Sequence, residues 1–151
     1  MVYVGLVGIS ISDIVFSSGV SSLIMQNNTN GKRFPIHVSS ETGVLLRNLL
    51  KKQMTKRPHT FTLLSNCITA LGATIQDIII DDTCEGVFFA KIILNNKGTT
   101  LCLDARPSDA IALALINQLP IFATQTLIEK LSWLDAIPSG IQTPNTFFLC
   151  H

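Results

Sequence analysis

The chain has 151 residues, 47% of them hydrophobic and 14% charged, with a formal charge of +1. That length fits one domain that buries roughly two thirds of its unfolded surface, and no apolar run approaches the roughly 18 residues of a membrane span, so no membrane is expected among its partners. The small net charge hides an asymmetry: through Arg57 seven Lys or Arg face two acids, and after it four face eight.

Residues 2–11 alternate like a half-buried strand, with Gly5 and Gly8 marking a bulge or a close backbone approach. After the turn Ser17-Ser18-Gly19, residues 20–25 predict a second strand, and the Asn/Gly-rich loop 27–31 returns the chain as a third over 32–38. Ser39 and Ser40 are natural N-caps for a helix whose apolar positions Val44, Leu45, Leu46, Leu49 and Leu50 face that sheet and whose end carries Lys51-Lys52, the charge a helix C-terminus prefers. Arg47, Lys51, Lys52, Lys56 and Arg57 form a basic run that no acid interrupts, and it is the expected nucleic-acid-binding surface. No aromatic residue interleaves with it to stack on bases.

A second helix is predicted over 60–71, with Gly72 just past its end. Three strands should follow over 73–80, 87–94 and 99–103, the first two joined by the turn Asp81-Asp82-Thr83-Cys84-Glu85-Gly86. That acidic turn matches no calcium-loop spacing. The third strand enters Asp104-Ala105-Arg106-Pro107-Ser108-Asp109, where Pro107 suits a helix first turn and Ser108 or Asp109 can accept from its open N–H groups. Residues 110–116 are all apolar, so this helix should be buried nearly all round. A short strand at 121–123 and a last helix opened by the capping box Thr126-x-x-Glu129 complete the domain. The order predicts an α+β fold: an antiparallel or mixed β-sheet with about four helices packed on it.

The domain is expected over 1–135 and an extended tail over 136–151, ending in the apolar Phe147-Phe148-Leu149-Cys150, which should dock on its own domain or a neighbouring subunit. The N-terminus shows no basic segment followed by an apolar one, so the expected address is the cytoplasm. Cys67, Cys84, Cys102 and Cys150 lack zinc-site spacing and read as buried thiols of a reducing compartment.

Two carboxylates and a guanidinium thus stand at the mouth of a buried strand-helix junction. They are either an ion-paired helix start or an acid-Arg-acid cluster that handles phosphate. Here the chain resembles the bifunctional nuclease family, in Asp104-Ala105-Arg106-Pro107-Ser108-Asp109-Ala110, in the apolar helix after it and in Pro120-Ile121-Phe122. The resemblance implies an α+β domain, often oligomeric, acting on DNA and RNA. Asp104, Arg106, Ser108 and Asp109 become the expected catalytic residues, with Asp104 and Asp109 as candidate ligands of Mg²⁺ or Mn²⁺. His37 and His59 read as structural. DNA or RNA and further copies of the chain are the expected partners, and the expected function is phosphodiester hydrolysis, probed against a non-catalytic nucleic-acid binder and an oligomeric scaffold. Two departures point to weakened activity. Phe61-Thr62 stands where relatives tend to carry His-Asp, and Ser39 and Thr42 stand where they tend to carry Gly and Glu.

Overall fold

In the computed structural model, which describes residues 5–53 and 55–135, one seven-stranded mixed sheet carries four helices. Three strands lead: β1 (Leu6–Phe16), β2 (Val20–Asn27) and β3 (Arg33–Ser39). Helices α1 (Ser40–Leu50) and α2 (Thr60–Ala70) follow, then β4 (Ala73–Cys84), β5 (Val87–Asn96), β6 (Thr99–Ala105), α3 (Pro107–Asn117), β7 (Ile121–Thr124) and α4 (Gln125–Asp135). The sheet order is β3-β2-β1-β7-β4-β5-β6, antiparallel except where β7 lies parallel to β4. The tail at 136–151 lies outside the described residues, as do residues 1–4.

Where local chemistry is strong, the elements fall where the sequence puts them. Ser39 caps α1, its Oγ accepting from the Thr42 N–H at 3.2 Å. Gly72, at φ +83°, closes α2. Other boundaries move. Strand β1 starts after Gly5, at φ +74°, and runs on through a bulge between Ile11 and Asp13. Asp81 and Asp82 extend β4, so the turn shrinks to Glu85-Gly86. The cap of α4 is Thr124 and not Thr126: its Oγ1 accepts from the Leu127 N–H at 3.2 Å and donates to the Asp81 carbonyl at 2.6 Å. Cys67 and Cys102 are exposed, contrary to the buried-thiol expectation.

Helix α3 is the centre of the molecule, as its unbroken apolar run requires. Ala110, Ile111, Ala112, Leu113 and Ala114 are at most 1% exposed. Three alanines let α1, α2 and the sheet approach closely, and Ile78, Ile80 and Ile92 complete the packing. The sheet curls until Phe34 of β3 and Phe88 of β5, far apart in its order, stack at 6.0 Å between ring centroids. That curl brings β3 across to the N-terminus of α3. No described helix is long and apolar enough to cross a membrane.

Candidate nuclease site

Strand β6 delivers Asp104, and the chain turns into α3 through Arg106, the N-cap, whose extended backbone (φ −68°, ψ 143°) is followed by buried Pro107 at the first helical position. No side chain caps this helix. Asp109 instead accepts two bonds from Arg106, Nε to Oδ2 at 2.7 Å and Nη2 to Oδ1 at 2.9 Å. This fork fixes the guanidinium and raises its pKa further, through the hydrogen bond first and the opposite charge second. Three of the five guanidinium N–H donors remain for another ligand.

Asp104 belongs to a different group. Its Oδ1 accepts from Lys91 Nζ on β5 at 2.7 Å, and that bond raises the lysine pKa. Asp81, on β4, feels the same lysine and the same aspartate: burial pushes its carboxyl up, Lys91 and its own backbone N–H pull it down, and Asp82 and Asp104 push it up. One oxygen of Asp81 is buried without a hydrogen-bond partner. Asp104 and Asp109 are thus each engaged by a cation. Among the described residues no three His, Cys, Asp or Glu gather into a group able to hold a metal ion. As held, these carboxylates do not fit a ready-made Mg²⁺ or Mn²⁺ site.

The curl of the sheet adds residues that sequence reasoning set aside. A cleft of about 340 Å³ is lined on one side by Arg106, Pro107 and Ser108 and on the other by His37, Ser39 and Thr42. His37 Nδ1 is hydrogen-bonded to Ser22 Oγ at 2.9 Å, across the β2–β3 pairing. In the tautomer whose Nδ1–H donates to Ser22, Nε2 carries the lone pair a general base needs. Local sequence held no signal for this, because only the curl brings β3 to α3. Lys91 is a different case: the β5–β6 hairpin register that sets it opposite Asp104 is local, and counting back from the turn would have found it. Ser39 and Thr42, where the resemblance implies Gly and Glu, line this cleft.

A second cleft, about 570 Å³, opens where α1 ends and α2 begins. Lys52, Lys56, Arg57, His59 and Thr62 line its rim, and Leu115 and Ile116 of α3 line it too. No acid lines it. The basic run therefore divides. Lys52, Lys56 and Arg57 converge, whereas Lys51 is exposed but not part of the lining, and Arg47 lies with its guanidinium 4.8 Å from the Phe16 ring centre. Phe61 packs against the core, and Thr62 faces the basic cleft residues.

Helices α1 and α3 each run from the first cleft to the second, so about 16 Å separates the two, at roughly 1.5 Å per residue over 11 residues. A basic groove thus lies at one end of the buried helix, and a cleft with Arg106 and His37 in its lining lies at the other. The chain belongs to the bifunctional nuclease domain family, whose model matches residues 23–134. It is similar to uncharacterised proteins from two strains of Mycobacterium tuberculosis, 28% identical over 109 residues, which are 72% of this chain and 65% of theirs. It is also similar to Bifunctional nuclease 1 of Arabidopsis thaliana, 27% identical over 126 residues, 81% of this chain and 38% of that one. The chain thus spans just under two thirds of the length of the first of these curated relatives, and far less of the plant protein.

Proposed function

We propose that this chain is a nuclease that hydrolyses phosphodiester bonds of DNA or RNA at the Arg106 cleft and grips the neighbouring backbone with the basic cleft. One observation supports the reading: Arg106, fixed by Asp109, and His37, held by Ser22, are both residues of one cleft. Arg106 offers its remaining N–H groups to the phosphoryl oxygens, where charge grows in the transition state. His37 takes the proton from the attacking water as its oxygen bonds to phosphorus, and the P–O bond on the opposite side breaks, its oxygen leaving with a proton drawn from solvent. Asp109 positions Arg106, and Ser108, Ser39 and Thr42 supply hydroxyls to the same space. A Mg²⁺ or Mn²⁺ ion on Asp104 and Asp109 would first require Lys91 and Arg106 to let go. Self-association of the chain is part of the proposal.

A non-catalytic nucleic-acid binder is the second reading, favoured by Phe61-Thr62 and by Ser39 and Thr42 at positions where the family tends to differ. Cleavage separates the two. Purified protein is incubated with end-labelled single-stranded RNA and DNA, in EDTA and in Mg²⁺ or Mn²⁺, beside His37→Gln. The nuclease reading expects cleavage that persists in EDTA and falls at least 100-fold in the variant. Binding without cleavage in every condition supports the second reading. Cleavage that ignores His37→Gln removes the histidine from the account.

A further inference from the structure

We propose that the Arg106 cleft takes an unpaired nucleotide, its phosphate on Arg106 and its base against Phe88, and that single strands are therefore its substrates. The inference deepens the nuclease reading above, on which it rests, by naming the class of nucleic acid that the cleft admits.

The cleft is not polar throughout. Beside Arg106 and His37, its lining includes Val87 and Phe88 at the start of β5 and Ile36 and Val38 of β3. Among the described residues no acid lines it. A cation beside an apolar, partly aromatic surface, in a space of about 340 Å³, suits a small ligand that is charged at one end and flat and apolar at the other. A nucleotide is such a ligand.

Phe88 is prepared as a platform for a base. Its ring stacks on that of Phe34, with centroids 6.0 Å apart and planes 20° apart. Phe34 is 7% exposed and takes no part in the cleft lining, whereas Phe88 is half-buried and belongs to it. The buried ring holds its neighbour, so little side-chain freedom remains to be lost when a base arrives.

The sheet sets the spacing between ring and cation. Ala90 of β5 pairs with Ala105 of β6, so Phe88 lies two residues from that pair and Arg106 one residue from it, toward the same end of the sheet. Arg106 keeps an extended backbone. One residue of offset at about 3.4 Å and one strand spacing of about 4.8 Å put their Cα atoms about 6 Å apart. A single nucleotide spans that distance from phosphate to base.

In a duplex every base is already stacked and paired, and none reaches such a cleft without being extruded. A single strand presents its bases at much lower cost. Stacking is tolerant of sequence, since every base has a π face, so the selection is for strandedness. The basic cleft differs: among the described residues it is lined by no Phe, Tyr or Trp, and it can grip the backbone of either form.

Calorimetric titration of the full chain with adenosine 5′-monophosphate and with ribose 5-phosphate, which lacks the base, is the test. The nucleotide should bind at least about fivefold more tightly, the low end of what one stacked base contributes. Phe88→Leu keeps apolar bulk without the ring and should bring that ratio toward one, while Phe88→Tyr should keep it. Arg106→Gln should weaken both ligands about tenfold or more, as for a lost hydrogen bond between charged groups. On the same samples a single strand should be cut at least about tenfold faster than the same strand annealed to its complement. Far-UV circular dichroism verifies the fold of each variant, and the comparison of the two ligands on the unmodified chain needs no variant. Equal affinity for the two ligands, a preference that survives Phe88→Leu, or binding indifferent to Arg106→Gln overturns the base site, and cleavage of the strands then leaves the nuclease reading standing. Duplex cut as fast as single strand overturns the substrate class. A Phe88-dependent preference with neither form cut supports the base site and removes the nuclease reading.

Discussion

Gly43 and Ser21 set how closely α1 can lie on β2. A Cβ at position 43 would stand 2.4 Å from Ser21 Oγ and 2.5 Å from its Cβ, and Ser21 is fully buried with no partner for its hydroxyl. Gly43→Ala should therefore lose about 1–3 kcal/mol to overpacking, more than the roughly 1 kcal/mol that alanine returns in a helix. Urea denaturation of Gly43→Ala beside Gly43→Ala plus Ser21→Gly measures it, and the double variant should recover much of the loss. Asp81 makes the opposite case. Burial holds its pKa above the ordinary carboxylate value, so the folded state binds its proton more tightly than the unfolded chain does. Stability falls as pH rises from the unfolded value through the raised one, and it stays lower above that window. Asp81→Asn should remove this step and cost nothing at neutral pH, which denaturation across pH 3–8 can check; a strongly destabilised variant at pH 7 would show that the charge is needed. The glycine contact and the buried acid were both hidden in the sequence, since each depends on a neighbour from another element.

At the scale of elements, the sequence was informative where chemistry is local. Ser39 announced α1, Pro107 announced α3, and the uninterrupted apolar run from Ala110 announced a buried helix. The parallel pairing of β4 with β7 had no such signal, because Ile78 and Ile121 meet only after α3 has crossed between them. The basic run was readable as charge and not as shape. Its last three cations line a cleft, while Arg47 lies against Phe16 at the side of β1. If nucleic acid follows the cleft, replacing Lys52, Lys56 and Arg57 with Gln should flatten the log–log salt dependence of duplex DNA binding by about 2.7, each phosphate contact contributing about 0.9. Arg47→Gln should leave the slope nearly unchanged. Fluorescence-anisotropy titrations at several salt concentrations give both slopes, and equal effects would return Arg47 to the interface.

For the whole molecule, the decisive feature is how the curled sheet delivers β3 to the mouth of α3. Strand-helix chemistry alone made Asp104, Arg106, Ser108 and Asp109 legible as a candidate group, yet the fold divides them. Asp109 turns to Arg106, and Asp104 turns to Lys91 on the neighbouring strand. The same curl brings His37 into one cleft lining with Arg106, residues that the primary structure keeps far apart. The basic cleft, about 16 Å away along α1 and α3, lies roughly five base steps from it at 3.4 Å per step, within reach of a single bound strand. Family membership supports nuclease chemistry, and the Arg106 cleft is where this account locates it. The most direct measurement is the single-turnover cleavage rate of a short single-stranded substrate by the unmodified chain and by Arg106→Ala, with far-UV circular dichroism confirming that both are folded. Cleavage by the unmodified chain and a loss of about 10²–10³ in the variant, as for removal of one transition-state donor, are the predicted results; equal rates for the two proteins would contradict the account.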